Sequence, residues 1–183
     1  MAHRLNRPLG AVIGLDEVMR RPKEVTQHLL RPGAVYGLAN MEVRTKDRRM
    51  VVFWLTLEPW APMAELGYPI ERVSITVWPA GRVTAVTGDA GRRPWCHRYP
   101  FVLGRLDALG DLCLWYPGDP RPLRWEWPDG FVAYITIVHR HLQAEEYARR
   151  NQCTWPAEDA PHGSGRHPIR TPALQALAAW ELL

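Results

Sequence analysis

Residues 50–60 read MVVFWLTLEPW and residues 71–79 read ERVSITVWP. The first run is dense in β-branched and aromatic side chains. The second alternates Val73, Ile75 and Val77 against Arg72, Ser74 and Thr76. A period of two marks a half-buried strand, because successive side chains leave the pleated backbone on opposite faces. Upstream, YGLANMEVR (36–44) carries partial alternation, and the polar TKDRR (45–49) makes a turn into residue 50. Downstream, a shorter RVTAV (82–86) follows Gly81. The connections are short enough for an antiparallel meander of four strands, with EPWAPMAELGYP (58–69) as one longer, proline-marked loop.

Helical patterns flank this zone. GLDEVMRRPKEVTQHLLRP (14–32) reads as a helix with Leu15, Val18 and Met19 on one face, Pro22 as a point of interruption, and Pro32-Gly33 as its end. PDGFVAYITIVHRHLQAEEYARR (128–150) places Val132, Ile135, Val138 and Leu142 at helical spacing, with Asp129 as a cap. Its middle, FVAYITIV, also fits a buried strand. Residues 100–127 show little regular pattern, and a long irregular stretch in a small domain often carries function. Residues 153–170 read as loop, and TPALQALAAWELL (171–183) as a short amphipathic helix. The expected architecture is α+β: an N-terminal helix, a four-stranded antiparallel meander, an irregular segment, then C-terminal helices.

The chain has 183 residues, of which 46% are hydrophobic, enough for a substantial core. No apolar run reaches the roughly 18 residues of a membrane helix, and MAHRLNRPLGAVIG is too brief and broken for a signal peptide. Three cysteines without framework spacing argue against a disulfide scaffold and for a reducing compartment, so cytoplasm is expected. The net charge of +4 is spread over scattered basic residues, which reads as a solvated surface, with neither nucleic acid nor membrane as partner. No cofactor is expected, since GRRPW (91–95) and PGDP (117–120) lack the spacing of a phosphate loop. Cys96, His97, Cys113, Cys153 and His162 are conceivable zinc ligands, but no C-x-x-C or H-x-x-x-H pair anchors a site. Glu145-Glu146, at a helix end, reads as solvated charge.

Within the irregular segment, GDLCLWYPGD (110–119) holds a thiol between two leucines, after a Gly-Asp turn and before a break. Cys113 is either a buried small hydrophobe, the commonest fate of a cysteine, or a sulfur presented for chemistry. His97 reads as a base for Cys113, as a brace beside Trp95 and Tyr99, or as a surface residue. Cysteine with histidine matches the ingredients of a cysteine hydrolase, although in papain-like enzymes the cysteine opens a helix.

Three pieces together carry a resemblance: HRYP (97–100), GDLCL (110–114) and WEWP (125–128), following a meander and preceding a long helix. The order resembles the ubiquitin-conjugating-enzyme (UBC) superfamily, whose members carry a His-Pro-Asn turn, a Gly-x-Ile/Leu-Cys-Leu active site, and a Trp and Pro before the next helix. LCLWYPGD (112–119) and the stretch from His141 through AEEYARRNQCTWPAEDAPHG to Gly163 are similar to the bacterial relatives. The similarity covers most of residues 15–163. It implies a UBC-like catalytic domain over residues 1–163, with residues 164–183 as a tail. It also implies that Cys113 carries a protein C-terminus as a thioester in bacterial anti-phage systems of the cyclic-oligonucleotide (CBASS) kind. The implied partners are a protein donor with an activated thioester, a cGAS-like nucleotidyltransferase or ubiquitin-like protein as cargo, and an amine acceptor. His97, Tyr99 and Asp119 are the implied companions of Cys113. The chain departs from the family in a longer span from His97 to Cys113, with FVLGRLDA (101–108) as an insertion. Tyr99 stands where the family has asparagine, either donating a hydrogen bond or packing.

The chemistry fits a carrier. Exchange between thioesters is nearly isoenergetic, and an ordinary thiol is ionised by a few per cent at neutral pH. Holding the thioester is the harder task, because an adjacent strong base activates water and discharges it. Asp111, Asp119 and the more distant His97 are the bases the segment offers. The leucines and Trp115 are expected to shield the sulfur, with backbone N–H groups around Cys113 as oxyanion donors. A catalytically silent UBC-like binding module and a Cys113–His97 hydrolase are the alternatives.

Overall fold

In the computed structural model, which describes residues 12–46, 49–88, 96, 111–115 and 121–156, the alternating runs form one sheet. Its strands are β1 (Leu38–Lys46), β2 (Met50–Leu57), β3 (Glu71–Val77) and β4 (Val83–Thr87), in spatial order β1-β2-β3-β4 with every pair antiparallel. Register follows the hydrophobic pattern. Phe53 pairs with Val43 and Ile75, and its neighbour Trp54 pairs with Glu42 and Ser74. Phe53 is fully buried and Trp54 is 47% exposed, so one face meets the core and the other meets water.

Two short helices precede the sheet, α1 (Leu15–Arg20) and α2 (Pro22–Leu29). The break falls before Pro22, which opens α2 where a missing N–H costs no helical bond. Val18, Val25 and Leu29 enter the core, with Leu15 and Met19 packed at its margin. The loop after β2 contains a helix that its prolines concealed, α3 (Ala61–Glu65). It buries Met63, with Trp60 and Tyr68 buried on either side.

The long helix α4 (Phe131–Arg150) resolves the ambiguity of FVAYITIV in favour of helix. Phe131, Tyr134, Ile135, Val138 and Leu142 form a stripe in the same core as the sheet's inner face, and the Phe131 and Phe53 rings lie 5.0 Å apart. Asp129 does not cap α4. Its carboxylate accepts the Glu126 N–H at 2.8 Å and an Arg121 N–H at 2.9 Å, closing the 3-10 turn Trp127–Asp129. Gly130, at φ +85°, is the residue that enters α4, and a Cβ there would meet Val12 Cγ1 at 2.8 Å.

The mixed α+β architecture with a four-stranded antiparallel meander and a long helix after it is therefore present. No helix among the described residues is long and apolar enough to cross a membrane.

Candidate active site around Cys113

β4 is an edge strand, and the Cys113 segment returns to cover part of that edge. Asp111 bridges Val86 in antiparallel sense, and the Leu112 N–H donates to the Ala85 carbonyl at 2.9 Å. Leu112 enters the core. The Leu114 N–H then turns back to the Leu112 carbonyl at 3.1 Å, a three-residue γ-turn with Cys113 at its centre. The sulfur thus sits at a turn one residue past a sheet bond, and its side chain is only 3% exposed.

Trp115 anchors the other side of the turn. Its ring meets those of Trp125 at 6.2 Å and Tyr134 at 6.0 Å. Trp125 donates its indole N–H to the Gly130 carbonyl at 2.9 Å, and Trp127 donates to the Gly81 carbonyl at 2.7 Å. An aromatic cluster thereby ties the Cys113 segment to the first turn of α4 and to the β3–β4 turn. Burial pushes the Tyr134 hydroxyl far above the usual phenol range, and the Asp111 carboxylate adds to the shift. Tyr134 is a neutral hydroxyl at every ordinary pH.

The amides of Leu112 and Leu114 are committed to the carbonyls of Ala85 and Leu112. In this closed turn the expected oxyanion donors around Cys113 do not include these two. His97, Tyr99 and Asp119 lie outside the described residues, as do residue 163 and the tail helix.

A second polar cluster, which the residue pattern did not announce, occupies the C-terminal half of α4. Glu145 is fully buried, and Glu146 is largely buried, its side chain 13% exposed. The reading of this pair as solvated charge is wrong, because each carboxylate faces compensating donors. One oxygen of Glu145 accepts the Cys96 N–H at 2.9 Å, and His141 Nε2 lies 3.9 Å from the other. Glu146 receives Arg149 at 2.6 Å and Arg150 at 2.7 Å. Burial works to raise its pKa, but the hydrogen bonds from the two arginines outweigh it and hold the carboxyl below its usual value. Arg149 also reaches Glu71, another buried carboxylate, at 3.5 Å.

Beside this cluster Cys96 and Cys153 form a disulfide. The expectation that cysteine spacing argues against disulfides fails here, since 57 residues separate two positions that the fold brings to a Cα distance of 5.3 Å. Disulfides persist in oxidising surroundings, so cysteine count no longer argues for a reducing compartment. Cys113 is the remaining cysteine and stays a thiol.

On the water-facing side of the sheet, Glu42, Arg44, Trp54 and Arg72 line an open cleft of about 470 Å³ that Cys113 does not reach. No protein-family model, no curated protein and no solved structure matches this chain.

Proposed function

We propose that this chain is a UBC-like thioester transferase, in which Cys113 accepts the C-terminal acyl group of a protein and passes it to an amine. The observation that carries the reading is the attachment of the Cys113 segment to the edge of β4 through Asp111 and Leu112, in a chain ordered helix, four-strand meander, cysteine segment, long helix. In the first step the Cys113 thiolate attacks the donor's thioester carbonyl, and the donor's thiolate leaves. In the second an amine attacks the new thioester, Cys113 leaves as thiolate, and the amine's proton passes to solvent or a nearby base.

Enclosure of the free sulfur, 3% exposed, limits the access of water to it. It also means that exchange requires local opening of the turn. The cargo is proposed to be a cGAS-like nucleotidyltransferase or a ubiquitin-like protein, in anti-phage defence, with His97, Tyr99 and Asp119 as companions of Cys113. A cytoplasmic site of action goes with this reading.

The same enclosure favours a second reading, a UBC-like binding module without chemistry, in which Cys113 packs the turn. Substitution separates the two. Cys113→Ser abolishes a reductant-sensitive adduct and the biological activity if the cysteine carries cargo. Intact activity in Cys113→Ala supports the binding module.

A further inference from the structure

The Gly88 N–H donates to the Arg72 carbonyl at 2.8 Å, and Asp111 and Leu112 pair with β4. Cys96, between them in sequence, is fastened covalently to Cys153 in the turn that follows α4, and through its N–H to the buried carboxylate of Glu145 on α4. We propose that the Cys96–Cys153 pair is a reversible thiol–disulfide switch that sets whether Cys96 is docked on α4. The inference is independent of the role proposed for Cys113.

Four observations support a switch over an inert staple. Cys153 is exposed and Cys96 half-buried, so a small dithiol reaches the bond. Neither cysteine belongs to the hydrophobic core, so opening the bond leaves that core packed. Cys153 is also held without its partner, by its own N–H to the Ala148 carbonyl at 2.8 Å, in a left-handed turn at φ +59°. A fixed thiol facing one whose N–H has a buried acceptor to return to, Glu145, re-forms its bond readily. Finally, Cys113 is enclosed, so exchange at the surface pair bypasses it.

The step is balanced. A dithiol gives two electrons and two protons to the disulfide and becomes a cyclic disulfide, while Cys96 and Cys153 become thiols. Among the described residues, docking of Cys96 then rests on one charge-assisted hydrogen bond. Glu145 is the positioning residue of the switch.

The full chain, labelled with ¹⁵N at cysteine, reads this directly, because each of its three cysteines gives one amide resonance, assigned with the Cys→Ser variants. Titration with oxidised and reduced dithiothreitol is expected to convert Cys96 and Cys153 together at one midpoint. The Cys96 amide should move and exchange with water at least tenfold faster, the Cys113 amide should stay in place, and the original spectrum should return on re-oxidation. Glu145→Gln should shift the equilibrium towards thiols about tenfold, about 30 mV for two electrons. An unmoved Cys96 amide after reduction overturns the proposal. So does failure of the pair to re-form, or collapse of the Cys113 amide together with the others, which would mark a structural staple.

Discussion

The Leu112 N–H donates to the Ala85 carbonyl at 2.9 Å, so Cys113 is built one residue beyond a sheet bond. Leu112, 4% exposed, anchors the site in the core at the same point. Truncating it to alanine should cost about 2–4 kcal/mol and raise the alkylation rate of Cys113 as the turn loosens. Cys113→Ala removes a single buried sulfur and should cost about 1 kcal/mol. Urea melts of the two variants, with peptide mapping of alkylated cysteine, check both expectations.

His139 gives the fold an acid-sensitive point. It is 2% exposed, and the Trp60 indole N–H donates to its Nδ1 at 3.2 Å. Burial lowers its pKa from 6.5 to about 4, with the Glu58 and Tyr36 carbonyls opposing the shift. Between those values the unfolded chain takes up a proton that the folded chain refuses. Stability is therefore undiminished above about pH 6.5 and falls as pH drops towards 4, by about 3 kcal/mol in all. His139→Gln should flatten that limb in urea melts recorded from pH 7 to pH 4.5.

Gly37 explains part of the packing around the same histidine. At φ +73°, a Cβ on it would lie 2.4 Å from His139 Cε1 and 2.8 Å from the Glu58 carbonyl oxygen. Gly67 has a similar φ of +70° with open space around it. Gly37→Ala should cost about 2–4 kcal/mol, backbone strain plus overpacking, and Gly67→Ala about 1 kcal/mol, strain alone. Thermal melts of the two variants side by side isolate the steric part.

Removal of the disulfide by Cys153→Ser should lower stability by about 2–4 kcal/mol, since the bond closes a loop with a sequence separation of 57 residues. The far-ultraviolet spectrum should not change, because the core lies elsewhere. A loss of helix and strand signal would mean that the bond holds the whole domain together.

The sheet was legible because Val73, Ile75 and Val77 alternate strictly, and a pattern of period two has one physical reading. The five residues of α3 were not, because Pro62 within them and Pro59 and Pro69 around them also mark loops; tertiary burial of Met63 stabilises so short a helix. Asp129 and Glu145 were misread for a common reason. Sequence position puts a carboxylate near a helix end, but its partner, Arg121 in one case and the Cys96 amide in the other, is chosen by the fold. The pairing of Cys96 with Cys153 has no local signature, whereas Cys113 stood out because its segment is short, apolar and bounded by turns.

Acyl carriage by Cys113 is tested most directly by offering the full chain a small thioester, N-acetylglycine on mercaptoethanesulfonate, and following its mass. The predicted result is one acyl group on the peptide that contains Cys113. It should be removed by dithiothreitol, passed to added lysine, and absent from Cys113→Ser. No adduct, an adduct that survives the substitution, or release only as free acid would contradict it.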